Sequence, residues 1–294
     1  MKQFTTIAIT IELLLSAIMP ASAQTSFNMY KKGAHYFMTV NMNGVPDTEV
    51  FIETGFTALT LSEENYNRIL SSLDLERVDF DENKEMKADR ETLKVTDIRK
   101  GSVSIGGLRY NGPIYVVKSF DKIALPVHLL KNETDTTANL IVFDFKKKVL
   151  EYVSRESLNT KNLKSYPIVR YTPYPTFTAR LELADEYRHE GEITGNWIFD
   201  LGNGSAVFFF RKSIAPFINK NKFKVFPTRD KSGEIIGSGL LARYCKIGDQ
   251  EVFGVSIGIT NRVWFDYALG CVGPSFFTKG YVVIDSERNT IYYK

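Results

Sequence analysis

Two acidic residues end apolar runs in the same local setting. Glu53 closes Val50-Phe51-Ile52 and is followed by Thr54-Gly55, and Asp200 closes Trp197-Ile198-Phe199 and is followed by Leu201-Gly202. An ionised carboxylate beside such residues is costly to desolvate unless it is hydrogen-bonded or shares a proton. Two of them facing each other across a cleft would do both. Like charges at contact distance cannot both ionise comfortably, so one acid keeps a proton while the other acts as base toward a water between them. The neutral acid would polarise a carbonyl and the ionised one would activate water, with no metal or covalent intermediate required.

Such a pair needs two elements that present it, and the chain repeats itself in the way that would supply them. Glu53 and Asp200 are 147 residues apart; Gly106 and Gly248, and Gly112 and Gly254, are 142 apart; Asp144 and Asp285, and Tyr152 and Tyr293, are 141 apart. Nearly constant offsets over some hundred residues indicate a duplicated unit. Each half reads as β. Phe37 to Met42, Thr178 to Leu183 and Tyr281 to Ser286 alternate or run apolar, bounded by turn residues such as Asn43-Gly44, Gly106-Gly107 and Gly202-Asn203-Gly204. Helical patterns are short: Ser62 to Leu73, with Ser62 as N-cap, and Arg211 to Ile218 at the matching place. The polar stretch Arg155 to Pro175 reads as the linker. The spacing predicts a mainly β protein of two duplicated lobes, residues 24–158 and 159–294.

The turns Glu53-Thr54-Gly55 and Asp200-Leu201-Gly202 stand where the pepsin-like and retropepsin-like aspartic peptidases carry Asp-Thr/Ser-Gly in each lobe. Cys271-Val272-Gly273, Phe276-Phe277 and the closing YVVIDSERNTIYY resemble that family's last segment. The resemblance implies two β-barrel lobes with a cleft between them and peptide-bond hydrolysis by water held between Glu53 and Asp200, with Thr54, Gly55, Leu201 and Gly202 as supporting turn residues and a peptide or protein substrate in the cleft. It implies no cofactor and no metal. The pattern also departs from the family. Glu53 is longer than aspartate by one methylene, about 1.5 Å. Leu201 lacks the hydroxyl that in the family bonds across the lobes. The 141 offset puts Leu130-Lys131-Asn132 opposite Cys271-Val272-Gly273, without its glycine, and no Tyr-Gly flap motif lies between Glu53 and Gly106. These departures sustain an alternative, a catalytically impaired member of the fold that binds a peptide or glycan.

Composition narrows the remaining classes. Over 294 residues, 37 Lys+Arg against 34 Asp+Glu and 44% hydrophobic residues exclude a disordered chain and give no basic stripe for nucleic acid. Met1-Lys2-Gln3, the apolar run Ile7 to Met19 and Ala21-Ser22-Ala23 read as a cleavable signal over residues 1–23, which implies export to a periplasmic or extracellular space. Removing it leaves 271 residues and no membrane span. The three histidines form no His-x-x-x-His pair. Gly254-Val255-Ser256-Ile257-Gly258 imitates a nucleophile elbow, but no histidine follows it. Cys245 and Cys271 are a possible disulfide or two buried thiols. Asp144 and Asp285 read as turn residues. Oligomeric state is not legible.

Overall fold

The computed structural model describes residues 25–88, 91–229, 233–260 and 267–294. The expected signal segment, residues 1–23, lies outside the described residues. Each half is built around the strand that carries its acid. Val45–Glu53 pairs antiparallel with His35–Met42 and parallel with Ala124–Pro126. Glu190–Phe199 pairs antiparallel with Thr176–Asp185 and parallel with Gly270–Val272. Phe51 lies opposite Ala124 and Ile198 opposite Cys271, so the 147 offset of the acids recurs in their partner strands.

That register corrects one expectation. The first-lobe counterpart of Cys271-Val272-Gly273 is Ala124-Leu125-Pro126, and Leu130–Asn132 instead pairs with Leu108–Val117. The 141 offset belongs to the closing hairpins; the second lobe is shorter between its central strand and its last hairpin, so the offset fails further in. Asn132, read above only as an unmatched position, is buried and its side-chain oxygen accepts from Thr134 and Asp135.

Long hairpins complete each lobe: Glu91–Ile105 with Leu108–Val117, and Ile235–Ile247 with Gln250–Thr260. Their turns fall at Gly106 and Gly248, whose φ values of +56° and +61° favour glycine. Ser256 therefore sits within a strand and not on an elbow before a helix. Helix α1 (Glu63–Ile69) starts at Ser62, whose hydroxyl accepts from the Asn65 N–H at 3.2 Å, with Glu63 and Glu64 in the first turn. It ends before Leu73 because the Ser71 hydroxyl takes the Asn67 carbonyl at 2.6 Å and closes the last turn. Helix α2 (Arg211–Lys220) occupies the matching place and buries Ile214, Phe217 and Ile218.

The lobes share one antiparallel sheet, in the order Thr25–Lys32, Val149–Val153, Leu140–Asp144, Tyr281–Asp285, Thr290–Tyr293 and Lys164–Arg170. The last strand lies inside the expected linker. Its polar residues conceal an alternation that buries Tyr166 and Ile168, and it pairs with both the C-terminal strand and Thr176–Asp185. Asp144 and Asp285 act within their hairpin turns, accepting from Lys147 and Arg288 N–H groups at 2.9 Å. Asp285 is buried and also pairs with Arg155 at 2.8 Å.

Candidate active site

The two acid turns meet. A Cβ added to Gly55 would lie 2.6 Å from Asp200 Oδ1, and one added to Gly202 would overlap Glu53 Oε1. Each carboxyl group thus rests on the glycine of the opposite turn, and only glycine leaves room for it. Glu53 is buried at the end of its strand, and its Oε2 accepts from the Thr54 N–H at 3.1 Å and the Gly55 N–H at 3.0 Å. Asp200 is half-buried; its Oδ1 accepts from the Gly202 N–H at 2.9 Å, and its own N–H bonds Val272 O at 3.0 Å.

Beneath the acids, Thr54 ties the lobes together. Its hydroxyl donates to the Phe199 carbonyl at 2.8 Å and accepts from the Leu201 N–H at 2.9 Å. Leu201 is buried in the main core and offers nothing in return. Burial, and next the charge of Asp200, push the Glu53 carboxyl well above its ordinary value of 4.5. The N–H groups of Gly55, Thr54 and Gly202 oppose that rise, because they favour the ionised form. Burial and the neighbouring Asp200 charge thus favour the protonated form of Glu53.

Several residues behind and beside the pair escaped sequence reading. His128 is buried, its Nε2 donates to the Pro173 carbonyl at 3.0 Å, and its ring faces the Glu53 backbone. Burial lowers its pKa to about 4, so it is neutral at ordinary pH. The Tyr171 hydroxyl donates to the His128 carbonyl at 2.6 Å. Tyr174, two residues before the strand paired with that of Asp200, packs with Ile198, Phe210 and Cys271 and feels both acids electrostatically. The chain around 171–174 gave no periodic signal because it is a non-repeating crossover between lobes. The 147 offset could have found His128, since it stands at the place of Ser275, next to the partner strand.

Apolar clusters flank the pair. Phe56 stacks on Phe120 at 6.4 Å and packs with Tyr115, Phe51 and Leu93 on the first-lobe side. Phe208 and Tyr267 join Tyr174 on the other. A hairpin of Glu85–Ala88 with the start of Glu91–Ile105 occupies the interval where no flap motif was legible, and the Thr60 hydroxyl contacts Met86 Sδ at 3.9 Å. The possible Cys245–Cys271 bridge does not form: no disulfide joins the two, and both are buried. Cys245 points into the main core and Cys271 into the cluster around Tyr174, which keeps them apart. Among the described residues, no group of His, Cys, Asp and Glu is arranged to hold a metal ion.

Among solved structures, the crystal structure of the aspartic proteinase from Irpex lacteus superposes on this chain with a TM-score of 0.54. It covers 92% of this chain and 96% of that chain at 13% sequence identity. The fold is that of an aspartic proteinase. No protein-family model matches the chain, and no curated protein matches its sequence. Glu53 and Asp200 lie where the turns of the two lobes meet, and the Thr54 bridge ties those turns together. Among the described residues, no helix is long and apolar enough to cross a membrane.

Proposed function

We propose that this chain is an exported peptidase of the aspartic type that hydrolyses a peptide bond with water activated between Glu53 and Asp200. The observation that carries the reading is the crossed packing of each carboxyl on the opposite glycine, which brings a buried and a half-buried acid together, with Glu53 held toward its protonated form. Asp200 takes a proton from water as the water oxygen attacks the scissile carbonyl carbon. Glu53 gives its proton to the carbonyl oxygen. Collapse of the tetrahedral diol then breaks the C–N bond as Asp200 passes its proton to the leaving nitrogen and Glu53 regains one from a diol hydroxyl, which re-forms the carbonyl. Thr54 holds the two turns in register, and the aromatic clusters on either side favour apolar residues next to the scissile bond.

Export rests on the leader at residues 1–23, and the lobes divide at 158/159 in this reading. The test is digestion of a peptide library from pH 3 to 8. Cleavage is expected in the parent and lost in both Asp200→Asn and Glu53→Gln. Cleavage that survives Asp200→Asn defeats the proposal. A second reading, a peptide- or glycan-binding member of the fold, draws on the one-sided hydroxyl bridge at Leu201. It predicts no turnover in the parent but saturable peptide or glycan binding that Asp200→Asn weakens.

A further inference from the structure

The duplication provides an internal control for the two acid turns. Residues 52–55 and 199–202 occupy equivalent positions, so two mirrored hydroxyl bridges would be expected beneath the acids. One is present: Thr54 Oγ1 donates to the Phe199 carbonyl at 2.8 Å and accepts from the Leu201 N–H at 2.9 Å. Its mirror needs a hydroxyl at position 201 to accept from the Thr54 N–H, and the buried Leu201 has none.

The Thr54 N–H is nevertheless satisfied. It donates to Glu53 Oε2 at 3.1 Å, the same oxygen that takes the Gly55 N–H at 3.0 Å. The second turn is wired differently: the Leu201 N–H crosses to Thr54, and Asp200 Oδ1 takes the Gly202 N–H. Glu53 meanwhile still presses its other oxygen onto Gly202. The shorter Asp200 also caps its own turn through the Gly202 N–H and rests on Gly55, while the N–H next to it goes to Thr54; what sets Glu53 apart is the added bond from its adjacent Thr54 N–H.

We infer that Glu53 and Leu201 are a matched exchange, in which the extra methylene of Glu53 brings its carboxyl to the Thr54 N–H that a hydroxyl at position 201 would otherwise take. Leu201 is then a positioning residue. By leaving that N–H to Glu53, it sets the length of acid that fits at position 53. The inference concerns how the acid is held, and only its activity arm rests on the peptidase reading.

The experiment is a four-member set: the parent, Glu53→Asp, Leu201→Thr and the double variant. Each is followed by urea unfolding at pH 5, by carbon-13 titration of the carboxyl at position 53, and by peptide-library cleavage. Glu53→Asp strands a buried N–H and should lose roughly tenfold in the folding equilibrium constant. The double variant should return to within about threefold of the parent, because the hydroxyl takes that N–H. If Glu53→Asp does not fold, recovery of a folded double variant supports the exchange and its absence overturns it. In Leu201→Thr alone, Glu53 loses a donor that favours its charged form. Its titration midpoint should move to higher pH, and the alkaline limb of any cleavage profile should move with it. Strictly additive unfolding effects with an unmoved midpoint overturn the exchange. A parent that cleaves nothing defeats the peptidase reading, while the unfolding and titration arms still decide this one.

Discussion

At the residue scale, two buried groups pull the pH dependence of stability in opposite directions. Burial and the Asp200 charge hold Glu53 above its ordinary 4.5, so the folded state binds a proton that the unfolded chain has released. Stability from this group is fully present below 4.5 and is lost as pH rises through the folded value. Glu53→Gln cannot lose a proton. Its urea midpoint should track the parent near pH 4, apart from a constant offset. It should then pull ahead as pH rises, by at most about 1.4 kcal/mol per pH unit within the titration window. A difference that stays flat from pH 4 to 8 would show that Glu53 does not carry the proton. His128 has the opposite sign. Its folded value of about 4 lies below its ordinary 6.5, so its penalty develops as pH falls between those values. That amounts to about 3 kcal/mol. The groups facing it are the Pro173 carbonyl and the Glu53 backbone, neither of which titrates there. His128→Gln keeps a donor for Pro173 and removes the titration, so it should lose about 3 kcal/mol less than the parent between pH 6.5 and 4. Equal losses in acid-unfolding curves would count against it. Together the two residues define a mildly acidic window in which the fold is secure and Glu53 is still protonated.

At the element scale, positioning and stability can be separated by substitution. Gly202→Ala puts a Cβ into Glu53 Oε1 and must displace the carboxyl. A catalytic group moved by about 1 Å loses on the order of a hundredfold in rate. Ser62→Ala removes the N-cap of α1, beyond the strand Leu59–Ser62 that follows the first acid turn, and should cost about 1 kcal/mol of stability with kcat unchanged. Peptide cleavage and thermal melts on the two variants should give these opposite profiles; equal activity in Gly202→Ala would mean that the pair does not depend on crossed packing. The same elements show what a sequence can reveal. Glu53 and Asp200 were legible because an acid at the end of an apolar strand is physically odd, and its recurrence after 147 residues marks a duplicated turn. Ser62 was legible because an N-cap is a local device. The partner strand Ala124–Pro126 was not, because three residues hold no period and the offset drifts between elements. Lys164–Arg170 was hidden by its exposed lysine, serine and arginine. Tyr174 owes its place to a crossover, where neither period nor repeat operates, whereas His128 is in repeat register with Ser275 but sits in a three-residue turn that carries no motif.

At the scale of the whole molecule, the cleft exists because the lobes are not independent. The strand Leu140–Asp144 of one half pairs with Tyr281–Asp285 of the other, and Lys164–Arg170 borders the C-terminal strand. Thr54 adds a buried tie directly under the acids. Arg155 pins this shared sheet through Asp285, which is 2% exposed and would be left as an unpaired buried charge if the arginine were removed. Full burial of such a pair would make its loss cost 3–5 kcal/mol by the usual estimate, about 4. The Arg155 side chain remains 28% exposed, and the Arg288 N–H still serves Asp285, so about 2 kcal/mol is the better expectation. Because the sheet is common property, that loss should fall on both lobes at once. Calorimetry of Arg155→Ala should show one transition, shifted down, with calorimetric and van't Hoff enthalpies still in agreement. Two resolved transitions, with only the one reported by second-lobe Trp197 shifted, would mean that the lobes fold separately and that the geometry of the acid pair depends on the Thr54 bridge alone. The single transition follows if the central sheet sets the distance between Glu53 and Asp200, and cleavage by Arg155→Ala should then fail at the same temperature as the fold.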